Sequence, residues 1–294
     1  MLRATLKSIL GHKARLAMTA LAVILGVALM AGTLVLTDTV GRTFDDLVAD
    51  IYDGTDAVVR STDSIDSPFG ETIRNPLPEE MVAEVAAIDG VAEAEGFVQG
   101  MARIKPLDGD PLGNPGMGAP SLGISWGHVD ALNPFEIREG APPSGPDEVA
   151  IDKGSADEGE IALGDTVTIL AAGEPRDFTV TGIVGFGSID SPGGSNVALF
   201  DLPVAQEVLG TGPVVNEISV VGEEGLTEEQ VVERITPSLP EGTDAVTGAE
   251  RTAEDQQSFR DALGFFNTFL LIFALIALLV GAFIIANTFG IIVA

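Results

Sequence analysis

The chain has 294 residues, 44 acidic against 15 basic, and no cysteine. Without cysteine there is no thiolate zinc site, no disulfide framework and no thiol nucleophile. A net charge of −29 makes nucleic acid an unsuitable partner, because it would have to neutralise phosphates that this surface repels.

Residues 1–15 carry Arg3, Lys7, Lys13 and Arg15 and no acid, with Leu2, Leu6, Ile9 and Leu10 on one helical face. That pattern suits a cytoplasmic amphipathic juxtamembrane segment, or an ordinary basic flank. Residues 16–36 then hold no charge, proline or histidine. Twenty-one such residues at about 1.5 Å each match the hydrocarbon thickness of a bilayer, so they are expected to form transmembrane helix 1. A cleaved signal peptide has a shorter apolar core and a small-x-small site, which this run lacks. The basic flank places the N-terminus in the cytoplasm.

All 44 acids and only 11 of the bases lie in residues 37–264, a balance of −33 that calls for a solvated extracytoplasmic domain. Helical periodicity continues through Leu36, Val40, Phe44, Leu47, Val48 and Ile51, predicting a stalk helix within 37–55 that ends near Gly54. Strand and helix signals follow in alternation. Strands are expected at 56–61, 97–104, 121–126, 148–152, 166–170, 178–184, 196–200 and 217–221. Helices are expected at 78–88, 202–209 and from the capping box Thr227-x-x-Gln230 to about 235. This gives an extracytoplasmic domain over 56–246, with an α+β lobe from 56–133 and 201–246 and a strand-rich lobe from 134–200. A second capping box, Thr247-x-x-Glu250, opens one long helix. It forms a second stalk over 247–264 and transmembrane helix 2 over 265–294, which is free of charge. The fold class is therefore membrane α-helical, two spans with stalk extensions, plus an extracytoplasmic α+β domain of two lobes.

Chemistry is sparse. The adjacent carboxylates Asp45/Asp46, Glu79/Glu80 and Glu228/Glu229 point apart on a helix and read as solvated or dipole-complementing groups. Ser125, His128 and Asp130 invite a triad, but no strained nucleophile turn or oxyanion hole accompanies them. Asp152-Lys153 at a strand end reads as a turn pair, and His12 sits among bases. No spaced calcium loop and no GxxxxGK[ST] phosphate loop occurs. No catalytic, cofactor-binding or metal residue is assigned, and the chain is expected not to be an enzyme. Small-xxx-small pairs at Ala22/Gly26, Ala28/Gly32, Ala282/Ala286 and Ala286/Gly290 permit close helix packing.

Several segments stand in a telling order: the first apolar run with its flanks; Glu139-Gly140-Ala141-Pro142; Asp147 to Asp152, DEVAID; Leu163-Gly164-Asp165-Thr166-Val167; Phe178 to Val184, FTVTGIV; and Ala286-Asn287-Thr288-Phe289 in the last run. Together they resemble the FtsX/MacB-type permeases of ATP-binding cassette systems. The resemblance implies a MacB-like periplasmic core domain, further spans and a cytoplasmic coupling loop beyond residue 294, so that the chain is an N-terminal portion. It also implies a separate ABC ATPase subunit that holds ATP and Mg, a homodimer or paired permease in membrane lipid, and an envelope protein, peptide or lipoprotein client. The alternative is a two-span membrane sensor receptor with an extracytoplasmic ligand-binding domain; a membrane-anchored hydrolase ranks third, for want of a nucleophile constellation.

Overall fold

The computed structural model describes residues 13–66, 72–113, 119–187 and 189–293, leaving out the side chains of 13–23, 26, 29, 262, 265–267, 274, 277–278 and 284–293. Most of the expected juxtamembrane segment, with His12, lies outside the described residues. The chain forms two compact units. One gathers the helical stretches up to Thr43 and from Ser258; the other is Phe44–Gln257.

In chain order the elements are α1 (Lys13–Ile51), β1 (Ala57–Ser61), β2 (Ser64–Asp66), β3 (Thr72–Arg74), β4 (Leu77–Pro78), α2 (Glu80–Ala86), β5 (Val91–Phe97), β6 (Gln99–Met101), β7 (Arg103–Pro106) and β8 (Ser121–Ser125). Next come β9 (Phe135–Gly140), β10 (Glu148–Asp152), α3 (Lys153–Glu158), β11 (Thr166–Leu170), β12 (Arg176–Phe186), β13 (Asn196–Phe200) and α4 (Leu202–Leu209). The chain closes with β14 (Val214–Val215), β15 (Glu217–Gly222), α5 (Glu228–Ile235), β16 (Thr243–Thr247) and α6 (Gly248–Val293).

In the helical unit, large apolar side chains face outward: Ile24, Leu25, Val27, Val35 and Leu36 on α1, and Phe269, Phe273, Leu275, Leu279 and Phe283 on α6. Leu263 approaches α1 at Gly41, where an added Cβ would lie 3.9 Å from its Cδ1. Among the described residues no helix is long and apolar enough to cross a membrane. The spans expected at 16–36 and 265–294 rest in large part on side chains outside the described residues.

The second unit holds two sheets. The first is antiparallel, in the order β16-β1-β15-β5. Side chains alternate across a strand, so Ala57 and Val59 face one way with Ile218 and Val220, against Met81 and Val85 of α2 and Val231 and Ile235 of α5. Val58, Arg60 and Glu217 face the other way. The capping box at Thr227 forms as expected, with Gln230 closing it, and starts α5.

The second sheet has eight strands in the order β6-β8-β13-β10-β12-β11-β7, with β9 beside β12. Only Ala102 separates β6 from β7, the two ends of that order, so one bent stretch of chain rolls the sheet back on itself. Val149, Ile151, Val167, Ile169, Phe178, Val180 and Phe200 fill its inside, covered by Val204, Val208 and Leu209 of α4. The alternate residues Ala150, Val184, Val197 and Leu199 form an outer core with Trp126, Phe135 and Phe186. Leu47 and Ile51 of α1 pack there.

The sheets divide the domain differently from the expected boundary at 134. Strands β6, β7 and β8 join the rolled sheet, where β8 runs parallel to β13 and β7 pairs with β11. Helix α4, expected in the α+β lobe, buries its apolar face in the rolled sheet's core. The single strand expected over 97–104 is therefore split: Val98, buried in the rolled core, is where the chain leaves one sheet for the other. The helix expected from residue 78 starts at Glu80, because Leu77 and Pro78 pair with Val215 and Val214 instead.

Candidate functional site at the helix junction

A cluster of linked ion pairs lies where the end of α1 and the start of α6 meet the four-stranded sheet. Gly54, at φ +78°, turns the chain out of α1; a Cβ there would lie 2.5 Å from the Ala131 carbonyl oxygen. Gly248 opens α6 so close to Thr55 that a Cβ would lie 2.0 Å from the Thr55 carbonyl oxygen. The Thr247 hydroxyl accepts the Glu250 N–H at 3.0 Å and the Glu250 carboxylate accepts the Thr247 N–H at 3.3 Å, which is the expected box. Glu228 of α5 adds its carboxylate to the same terminus, accepting the Ala249 N–H at 3.0 Å.

Two buried or half-buried arginines organise the junction. Arg60 sits in β1 among valines, with its side chain 5% exposed. It forks onto Glu254 of α6 through both terminal nitrogens and reaches Asp244 of β16 through Nε at 3.3 Å. Burial opposes its charge, but Glu254 and Asp244 outweigh that and hold its pKa above the usual value. The Arg60 hydrogen bond in turn keeps the Glu254 carboxyl below the usual range.

Arg251 of α6 gives Nε to Glu217 of β15 at 3.1 Å and Nη1 to Asp255. Its guanidinium lies 5.4 Å from the centre of the Tyr52 ring. The Tyr52 hydroxyl is 3.2 Å from Glu217 Oε1 and 3.2 Å from Asp255 Oδ2. Burial first, then the Glu217 charge, push its pKa well above the ordinary value. Burial also opposes the Arg251 charge, which Glu217, Tyr52 and Asp255 more than restore. Gln256 of α6 donates to the Asp45 carbonyl of α1 at 3.0 Å. Both helix ends are thus fastened to each other and to one sheet. An open cleft of about 370 Å³ beside them is lined by Tyr52, Asp53, Asp56, Glu228 and Thr252 among others.

The residues weighed for catalysis do not assemble. The Ser125 hydroxyl accepts the Val98 N–H at 3.0 Å, while exposed His128 faces Asp201 at 3.0 Å through Nε2. Asp152 is the N-cap of α3, accepting the Ser155 N–H at 3.0 Å, the Val197 N–H at 2.7 Å and the Ser155 and Ser191 hydroxyls. Lys153 turns to Asp157. Of the adjacent carboxylates, Glu79 takes a bond from Gln206 and Glu228 caps α6. Among the described residues no group of three or more His, Cys, Asp or Glu side chains is arranged to hold a metal.

Sequence reasoning missed Tyr52, Arg60, Glu217, Arg251, Glu254 and Asp255. One signal was present: an arginine in the middle of a valine-rich strand needs a partner from outside its own element.

A family model described as the MacB-like periplasmic core domain matches residues 16–238. Among solved structures, the chain is similar to the periplasmic region of MacB from Actinobacillus actinomycetemcomitans, with 11% identity over 70% of this chain and 94% of that one and a TM-score of 0.49. It is also similar to the extracellular domain of the noncanonic ABC-type transporter YknZ from Gram-positive bacteria, with 14% identity over 64% of this chain and 98% of that one and a TM-score of 0.45. No curated protein matches the chain.

Proposed function

We propose a function from one premise: the chain belongs to the family of the MacB-like periplasmic core domain. It acts as the permease subunit of an FtsX/MacB-type ABC system. Residues 16–36 and 265–294 cross the cell membrane, the N-terminus is cytoplasmic and residues 37–264 stand outside. A separate ATPase subunit binds ATP and Mg. Its motion is relayed through α1 and α6 to the outer domain, for export, extraction or activation of an envelope client. The permease works as a homodimer or a paired permease.

The observation that carries the relay is the junction. A pull on α6 reaches β1 through Arg60–Glu254 and β15 through Arg251–Glu217, without passing through a loop. A helix end held only by a flexible linker would dissipate such motion. Outward apolar side chains on α1 and α6 and the concentration of acids in 37–264 support the membrane arrangement.

The test is biochemical. The complete protein, purified alone, should hydrolyse no ATP and should gain hydrolysis when an ABC ATPase subunit assembles with it. Hydrolysis without that subunit, or failure to assemble with any ABC ATPase of its own cell, refutes the assignment.

A further inference from the structure

The Tyr52 hydroxyl has one hydrogen to give and faces two carboxylates at the same distance, 3.2 Å to Glu217 on β15 and 3.2 Å to Asp255 on α6. An ionised carboxylate only accepts, so the phenol can satisfy one of them at a time. The other then meets an oxygen lone pair. Arg251 has no such limit, since its guanidinium carries five N–H groups and bonds to both carboxylates at once. Around Glu217 and Asp255 the junction therefore has one shared bridge and one exclusive one.

We propose that the Tyr52 hydroxyl is a two-position latch: donating to Asp255 it ties the end of α1 to α6, and donating to Glu217 it ties the end of α1 to the four-stranded sheet. Tyr52 follows Ile51, the last residue of α1, directly. The choice of acceptor therefore strengthens either the tie of α1 to the other helix or its tie to the sheet, beside the Gln256–Asp45 bond that both positions keep. The two arrangements have the same number of bonds and the same charges, so a small bias suffices to switch between them. Burial keeps the phenol protonated and hence a donor throughout. This device belongs to the outer unit itself and holds whether or not a partner ATPase drives it.

The test uses the full chain in lipid nanodiscs, with cysteines in place of Ala49 and Thr252, which line the cleft between α1 and α6. The chain has no other cysteine. The rate of capture by a short bismaleimide reports how closely the two helix ends are tied. Glu217→Gln can donate its amide N–H to the phenol oxygen, which fixes the hydroxyl on Asp255; capture should speed up. Asp255→Asn fixes it on Glu217; capture should slow down. Both effects should vanish when Tyr52→Phe is added, which keeps the ring under Arg251 and removes the hydroxyl. A merely structural role predicts that every loss loosens the junction, so both amide variants would slow capture. That result, or opposite effects that persist in Tyr52→Phe, overturns the latch. Far-UV circular dichroism checks folding of each variant. Asp255→Ser carries the same expectation as Asp255→Asn should the asparagine not fold. The readout needs no ATPase, so it is decided separately from the permease assignment.

Discussion

Replacing Glu254 by glutamine should cost the outer domain more stability than deleting the arginine it serves. Arg60 is 5% exposed, while Glu254 and Asp244 are 46% and 38% exposed. Breaking a fully buried ion pair from one side costs about 3–5 kcal/mol, because a charge is left behind in a poor solvent. Here the carboxylates are half in water, and solvent screens them, which brings the loss down to about 1–2 kcal/mol. Arg60→Met removes the buried charge together with its need for partners, and the two carboxylates can hydrate; that change should cost at most about 1 kcal/mol. For a domain of this size, 1 kcal/mol is about 2–4 °C in Tm. Urea and thermal unfolding of the outer domain, followed through its single tryptophan Trp126, read both variants. If Arg60→Met proves the more damaging of the two, a buried charge left with Asp244 as its one carboxylate does not dominate the cost.

Acid should act on the same pair. The folded pKa of Glu254 is depressed, so its contribution is present above the unfolded value of about 4.3 and is lost as pH falls through the folded one; the urea midpoint should drop on acidification below pH 5 less steeply in Glu254→Gln than in the parent. The single tyrosine gives the opposite sign. Its raised pKa contributes stability below about pH 10 that is lost as pH rises further, so phenolate absorbance should appear later in the native chain than in urea. Asp152→Ala strips the acceptor from two backbone N–H groups and two hydroxyls in a site 1% exposed; a loss of about 2–4 kcal/mol is expected by denaturation. Glu160→Gly relieves a side chain at φ +51° just beyond α3, and should raise stability by about 0.5–1 kcal/mol in the same assay.

Strands and helices whose signal is local were legible in the sequence. β10, β11, β13 and α4 fall at their expected bounds, because short apolar runs and nearby glycines mark their ends without help from distant residues. The capping boxes at Thr227 and Thr247 fixed two helix starts for the same reason. Which sheet a strand joins is not local. Residues 97–104 hold no turn signal that would divide them, yet the chain changes sheet at Val98, and only pairing with β8 and β11 reveals it. The strand at 243–247 is not among the expected strands; Asp244 is a poor strand former, and the place of the strand is set by β1 alongside. The junction was hidden more deeply. Tyr52, Arg60, Glu217 and Arg251 come from four elements up to about 200 residues apart, and no spacing rule joins them. Sequence proximity says little about side-chain direction: Ser125 and His128, set aside as a triad in the sequence, are three residues apart but bond in different directions.

The relay itself is tested most directly by distance. In the complete protein assembled with the proposed ATPase, spin labels on Glu224→Cys, an exposed site of the outer domain, report the separation of the outer domains in the proposed permease pair. Trapping the ATP-bound state should shift that separation. Ser258→Pro removes a hydrogen bond within α6 and costs about 3 kcal/mol locally, so the shift should be lost while ATP hydrolysis and outer-domain folding persist. A separation that ignores ATP, or one that still responds with proline at 258, contradicts a relay through the helices.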